Sequence, residues 1–259
     1  MNGLMLHCGG ALASREDVFG VTVPPETSSY MPLPYESFIT RIEKQLAVEG
    51  ITVREEKLAL AKEGQRLFGL IQVELPGSST RDYGCILGLR NSYDKSCSAG
   101  LCIGATVFVC DNLSFQGSQI TFQRRHTANL LRDLSWIITE TMAKLPALFA
   151  AQGATFERYR GTELGDARAH DLLIRSYDRG ALNVTDLPAV LKEWRTPRHP
   201  EFAEGGKTVW RLFNAATETM KGDLWRLPGR TRALHEVLDE GCGLVPPFAR
   251  QSEEVTVTA

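Results

Sequence analysis

Two short basic segments carry the residue types in this sequence that are best suited to binding chemistry. Arg90, Tyr93 and Lys95 lie close together, and Arg124 and Arg125 form a second group further along the chain. Proteins that bind single-stranded nucleic acid combine cations, which contact phosphates, with aromatic rings, which stack on bases. The predicted nucleic-acid contacts are Arg90, Tyr93, Lys95, Arg124, Arg125 and Arg211.

The second basic segment ends in His126 and directly precedes a predicted long helix. A helix N-terminus already carries about half a positive charge, so uncompensated cations there cost roughly 0.3–1 kcal/mol each. This arrangement predicts a bound phosphate or another anion. The alternative is that Arg124, Arg125 and His126 are solvated or paired with acidic side chains.

Three tryptophans alternate with arginines, at Trp194-Arg195, Trp210-Arg211 and Trp225-Arg226. Each pair offers a stacking plane beside a cation. For any single pair, however, a core tryptophan next to a solvent-facing arginine is the favoured interpretation, because large aromatic side chains dominate protein cores.

Catalytic chemistry has weaker support. Glu74 and Asp82 flank a predicted turn, and Lys95 lies in a later loop. Clustered carboxylates with a lysine are what a metal-dependent nuclease or nucleotide hydrolase requires, so this remains an alternative function. The phosphate-binding, serine-hydrolase and metalloprotease motifs are missing from the sequence, and no cofactor is predicted.

The six cysteines are predicted to be structural thiols. Only Cys97, Cys102 and Cys110 lie near one another, and their spacing matches no CxxC pair. No histidine nearby completes a four-ligand zinc site. A reducing compartment suits such a set of thiols.

The basic segments are attached to a predicted antiparallel sheet within Arg66 to Gln123. Alternating apolar residues mark strands beginning at Arg66 and Tyr83, with a turn at Pro76-Gly77 between them. A third strand, Leu101 to Cys110, is apolar almost throughout, which suits burial on both sides. Gly84 and Gly88 share one face and predict a close approach there, by a packed helix more than by a ligand.

The predicted fold class is α+β: an antiparallel sheet of three to five strands backed by a long helix, with a helical C-terminal half packed against it. The long helix is predicted over Thr127 to Ala150, where apolar residues recur at helical spacing and Gln152-Gly153 ends the pattern. The predicted divisions are an N-terminal arm (1–33), a sheet core (34–152), a helical region (153–249) and a disordered acidic tail (250–259).

Charge and hydropathy restrict the partners. The net charge of −2 excludes a uniformly basic protein, although residues 188–232 hold nine basic and five acidic side chains. The apolar runs are shorter than the roughly 18 residues of a membrane span, and the first residues lack the pattern of a signal peptide. A cytoplasmic protein without a membrane partner is therefore expected.

Several blocks of the sequence resemble a phage/plasmid-like family of unknown function carried on bacteriophages and other mobile elements. They are His7-Cys8-Gly9-Gly10, the helix after Pro34, Leu89-Arg90-Asn91-Ser92-Tyr93-Asp94, Val109-Cys110-Asp111-Asn112 and Trp210 through Glu218. The order of elements is also similar to that of Rad52-type single-strand annealing proteins, which bind DNA as oligomeric rings. The resemblance implies a mobile-element context and carries over no catalytic residue.

The sequence thus leads to one main hypothesis and two alternatives. The main hypothesis is a non-enzymatic, homo-oligomeric protein that binds single-stranded nucleic acid in recombination or annealing. The alternatives are the metal-dependent hydrolase and a protein–protein interaction module acting through the helical half. Asn91, Asp94, Asp111 and Asn112 are either functional or turn residues, since Asn and Asp favour turns through local hydrogen bonds.

Overall fold

The computed structural model describes residues 10–77, 83–107, 112–221 and 226–243, with the backbone alone described over 112–122. The chain divides into two compact units. The first, here called the sheet unit, comprises Met1–Gln152 and Lys221–Pro228, and the second, the helical unit, comprises Gly153–Met220 and Gly229–Ala259. The predicted acidic tail, 250–259, lies outside the described residues.

The sheet unit contains one antiparallel sheet whose described strands follow one another in sequence order. The strands are β1 (Ala11–Ala13), β2 (Thr52–Ala61), β3 (Arg66–Glu74), β4 (Tyr83–Ser92), β5 (Ala99–Val107) and β6 (Asn112–Arg124). The predicted α+β class is confirmed. The six described strands exceed the predicted three to five, because β1 has only three residues and the apolar alternation of β6 is interrupted between Phe115 and Ile120.

Strands β3 and β4 form the predicted antiparallel hairpin. Gly69 pairs with Leu89 and Ile71 with Leu87, so the side chains of Ile71, Leu87 and Leu89 share one face. The same face continues into β5, where Ile103 pairs with Leu87. The two longest helices of this part of the chain are α2 (Tyr35–Val48) and α3 (Ala128–Gly161). Helix α3 packs on this face, where its Phe149 contacts Tyr83 of β4 with ring centroids 5.6 Å apart.

Helices α2 and α3 run side by side in the same direction. Arg41 Nη1 donates to Ser135 Oγ at 2.5 Å, and Thr139 Oγ1 donates to Gln45 Oε1 at 3.0 Å. Both contacts join residues 94 positions apart, which requires parallel axes. Each helix buries an apolar stripe, namely Phe38, Ile39, Ile42 and Leu46 in α2 and Leu130, Leu134, Ile138, Met142 and Leu145 in α3.

The described part of the predicted N-terminal arm, residues 10–33, contains a strand and a short helix. After β1 the chain forms α1 (Arg15–Phe19), which begins with a capping box in which Ser14 Oγ accepts from the Asp17 amide and Asp17 accepts from the Ser14 amide. This reciprocal pair satisfies two amides that a helix start otherwise leaves without partners. Arg15 then pairs with Glu43 of α2 and Glu56 of β2.

The long helix continues past its predicted end. Gln152-Gly153 was expected to stop it, yet α3 reaches Gly161 and also contains Pro146. A helical glycine costs about 1 kcal/mol relative to alanine. Phe156 and Tyr159, both fully buried, follow in the last turns. Burying two aromatic side chains outweighs that cost, since each contributes roughly 1.5–3 kcal/mol or more.

The helical unit contains the end of α3 and further helices. These are α4 (Asp166–Asp178), α5 (Leu187–Arg195), α6 (Pro200–Glu204), α7 (Val209–Thr219) and α8 (Leu227–Gly241), whose first two residues belong to the sheet unit. Pro200 begins α6, and Pro228 is the second residue of α8. Proline is tolerated in a first helical turn, where its missing N–H costs no bond.

Within the described part of the chain, none of the helices is both long enough and apolar enough to span a membrane.

Replacing Gly69 with alanine is expected to lower the free energy of unfolding by about 1–3 kcal/mol, the usual cost of overpacking a core. A Cβ at Gly69 would lie 2.8 Å from Leu89 Cδ1 and 2.9 Å from Leu58 Cδ2. Both leucines are buried, so moving them disturbs the packing of the core. Urea denaturation measures the effect, with Gly161→Ala as the matched control because no atom lies within 4 Å of a Cβ there. Equal effects of the two substitutions would contradict this account of the packing.

Candidate nucleic-acid interface at one end of the sheet

Asn91 organises the end of β4. Its side chain is fully buried, and Nδ2 donates to the Leu33 carbonyl at 2.8 Å. Its Oδ1 accepts from the Ser92 amide at 2.9 Å and lies 2.6 Å from His126 Nε2. Because Nδ2 already donates to a carbonyl, Oδ1 must accept, and His126 Nε2 therefore carries a proton. Asn91 thus joins β4 to the segment before α2 and to the segment before α3.

Tyr93 lies inside the protein. It is only 4% exposed, and its ring stacks on that of Tyr35 with centroids 4.1 Å apart and planes 1° from parallel. Its hydroxyl accepts from the Tyr35 amide at 3.1 Å, and its own amide donates to the Gln65 carbonyl at 2.8 Å. Burial raises the pKa of the Tyr93 phenol. The ring positions the loop and does not present a face to a base.

Asp94 and Lys95 form the turn after β4. Asp94 accepts from Arg66 Nε at 2.7 Å and from the Ser96 amide at 2.9 Å. Partial burial raises the pKa of this carboxyl, but the hydrogen bonds from Ser96 and Arg66 outweigh it and hold the pKa below its usual value. Lys95 adopts a left-handed backbone, and its ammonium lies 4.5 Å from the centre of the Tyr30 ring. Asp94 therefore makes the local contact expected of a turn residue, whereas Asn91 lies in β4 and bonds mainly to distant segments.

Asp111 and Asn112 were the other two residues predicted to be either functional or turn residues. Asp111 lies outside the described residues, and for Asn112 only the backbone is described.

Arg90, Lys95, Arg124 and Arg125 come to the same end of the sheet, here called the basic sheet end. Arg90 pairs with Gly100 of β5, and Gly100 pairs with Gln123 of β6. Adjacent strands lie about 4.8 Å apart, so the backbones of Arg90 and Gln123 are about 10 Å apart. Arg124 and Arg125 follow at once, and both are exposed, whereas Arg90 is half-buried.

His126 does not add a third surface cation. The ring is buried, and burial lowers its pKa below the ordinary histidine value. Its backbone carbonyl accepts from the Met31 amide at 3.0 Å, and its ring packs near that of Tyr30. His126 is therefore a neutral member of the Asn91 network.

Arg211 lies on α7 in the helical unit and is 8% exposed. Nη2 donates to the Arg195 carbonyl at 3.0 Å, and the guanidinium lies 5.5 Å from the centre of the Trp194 ring. Desolvation lowers its pKa. Trp194 and Trp210 are buried, which confirms them as core residues, while Trp225 lies outside the described residues.

The metal-dependent hydrolase alternative relied on Glu74, Asp82 and Lys95, and the structure places Glu74 far from Lys95. Glu74 ends β3 and pairs with Arg54, whereas Lys95 follows β4 near the start of β3. At about 3.3 Å per residue, a strand of this length places them roughly 25 Å apart. Asp82 and Cys110 lie outside the described residues. Among the residues with described side chains, no three His, Cys, Asp or Glu groups are arranged to hold a metal ion.

The helical unit contains a buried titratable cluster that the sequence did not indicate. The Tyr159 hydroxyl lies 2.9 Å from His235 Nδ1 and 2.7 Å from Asp239 Oδ1. Burial lowers the pKa of His235 to about 3 and raises those of Tyr159 and Asp239. The rings of Phe156 and Phe213 pack against His235, so this cluster belongs to the core.

One exposed aromatic residue near the basic sheet end was also not predicted. Trp136 of α3 is 65% exposed. Its position next to Ile137, off the apolar stripe of Leu130, Leu134 and Ile138, is the sequence signal that could have located it.

The chain is thus an α+β protein with an antiparallel sheet and an exposed group of arginines where its last described strand leads into the long helix. The model of the family described as domain of unknown function (DUF932) matches residues 26–235. The chain belongs to that family. No curated protein and no solved structure is similar enough to the chain to count as a match.

Proposed function

We propose that this protein binds single-stranded nucleic acid through the basic sheet end. The observation that carries the proposal is the convergence of cations from three places in the chain: the end of β4, the turn after it, and the β6–α3 junction. Arg124 and Arg125 are exposed there, and phosphate binding gains most from exposed cations because they release counterions from the nucleic acid.

The start of α3 supports the same ligand. This helix begins at Ala128, and its first turn contains no acidic residue. Its partial positive charge therefore adds to those of the two arginines and favours an anion. The chain has a net charge of −2, so the attraction is local to this end rather than a property of the whole protein.

The proposal extends to a role in annealing or recombination on a phage or plasmid, carried out by a homo-oligomer in the cytoplasm. A basic surface on each copy allows successive copies to line one strand, and cooperative binding along a strand is usual for such proteins.

A protein-binding role is the second candidate. It is favoured by the exposed apolar side chains of Ile174, Tyr177 and Val184 in the helical unit. In that case affinity capture would recover a partner that nuclease treatment does not release.

Replacing Arg124 and Arg125 together with alanine is expected to weaken binding to single-stranded DNA by about 10- to 100-fold at 50 mM salt. Each lost phosphate contact lowers the salt-dependence slope by about 0.7, so the double variant should lose about 1.4 from the slope. Fluorescence anisotropy with a labelled oligonucleotide, titrated at several salt concentrations, measures both quantities.

The matched control is the double variant Arg168→Ala/Arg232→Ala, which removes the same charge from exposed positions of the helical unit. It should retain most of the affinity. Equal losses in the two double variants, or no saturable binding by the unaltered protein at low salt, would overturn the proposal. Turnover of the oligonucleotide with added magnesium or manganese, abolished by Glu74→Ala, would instead establish the hydrolase alternative.

A further inference from the structure

Trp136 is a large aromatic side chain on an otherwise polar helix surface. It projects from α3, where its neighbours one turn away are Arg132 and Glu140. Ser135 and Thr139 beside it are exposed and bonded to α2. Most of the ring is exposed, so an aromatic face is available to a ligand there.

Arg132 and Asp133 lie between Trp136 and the start of α3. Arg132 Nε donates to Asp133 Oδ1 at 2.7 Å. The hydrogen bond from Arg132 lowers the pKa of the Asp133 carboxyl, and the charge of Arg124 lowers it further. Arg124 therefore lies near the first turns of α3. At 1.5 Å per residue, Trp136 is about 12 Å along the axis from the start of this helix.

The surroundings of Trp136 favour a nucleobase over a second protein chain. A stable protein interface buries about 800 Å² on each partner around an apolar centre. A single tryptophan offers at most about 250 Å², and its helical neighbours are charged or hydroxylated. A nucleobase needs only one aromatic plane, and its phosphates need the nearby arginines.

We propose that Trp136 is a base-stacking platform for single-stranded nucleic acid whose phosphates are held by Arg124 and Arg125. This inference rests on the function proposed above and adds the aromatic contact that Tyr93, being buried, does not supply. Stacking on an aromatic face tolerates any base, so the contact raises affinity without selecting a sequence.

Trp136→Ala is expected to weaken binding to a thymidine homopolymer by about 5- to 150-fold, the fold-change that corresponds to one lost base stack. The salt-dependence slope should stay the same, because the ring neutralises no phosphate. Trp136→Phe should recover much of the affinity. The matched control is Val48→Ala, which removes the most exposed large apolar side chain described in the same unit, 77% exposed, and should not change binding.

An abasic strand of equal length separates stacking from every other role of Trp136. It presents the same phosphates without bases, so the unaltered protein and Trp136→Ala should bind it equally. Unchanged binding of the homopolymer by Trp136→Ala, with the unaltered protein still binding, would overturn this inference and leave the proposed function standing. No binding by the unaltered protein would remove both. A smaller oligomer with unchanged affinity per protomer would assign Trp136 to contact between copies and would also overturn it.

Discussion

Asn91→Ala is expected to lower the free energy of unfolding by about 3–5 kcal/mol. The substitution removes one donor and one acceptor and leaves the Leu33 carbonyl, the Ser92 amide and His126 Nε2 without that partner. Each buried polar group left unsatisfied costs about 1–3 kcal/mol. Total stabilities are about 5–15 kcal/mol, so the loss is a large fraction of the whole. Urea denaturation followed by circular dichroism measures it.

The matched control is Asn129→Ala, since Asn129 is exposed near the start of α3. A surface change of this kind stays within about 0.5 kcal/mol. Asn91→Asp is a second probe, because it keeps the size and the acceptor but loses the donor to Leu33. If Asn91→Ala is as stable as the control, the Asn91 network does not hold the three segments together as described.

The second large effect is a loss of stability of about 2 kcal/mol from His235 alone when the pH falls from 7.5 to 5. The folded-state pKa of His235 is about 3, whereas an unfolded histidine titrates near 6.5. As the pH falls below about 6.5 the unfolded chain takes up a proton and the folded protein does not, which favours unfolding. Burial lowers the pKa of His126 too, so His126 contributes in the same direction.

His235→Gln isolates the contribution of His235. The stability of this variant should fall less steeply between pH 7.5 and 5. The slope is the readout, because it does not depend on packing lost with the ring. Asp239, whose raised pKa opposes the histidine effect, is present in both proteins. Identical slopes in denaturation series at several pH values would mean that the pKa of His235 is the same in the folded and unfolded states.

Local sequence patterns correctly predicted the β3–β4 hairpin and the start of α3. The β3–β4 hairpin follows from period-two alternation and a Pro-Gly turn, and the start of α3 follows from its apolar stripe. The patterns did not predict the end of α3, because the burial of residues further along the chain determines it. The helix continues past Gly153 because Phe156 and Tyr159 are buried beyond it, and no local signal at the glycine shows that.

The candidate interface was predictable only in part for the same reason. The cations at Arg124 and Arg125 are visible in the sequence, and the structure leaves them exposed. Whether a residue lies in the core is a tertiary property, so Tyr93, His126 and Arg211 were predicted as contacts or cations although all three are buried. Trp136 was not predicted as a contact although it is exposed. Its exposure depends on which side of α3 faces the sheet, and that is also a tertiary property.

The sequence-order arrangement of the strands has a consequence for how the sheet forms. From β2 to β5 every strand pairs with the strands that precede and follow it along the chain, and β6 pairs with β5. Contacts between such neighbours close short loops. Little chain entropy is therefore lost before the contacts of each hairpin form and offset that loss. The sheet can therefore be assembled one hairpin at a time as the chain leaves the ribosome, with β1 added across the longer span to β2. Such a protein limits the time for which an unpaired strand edge is open to aggregation.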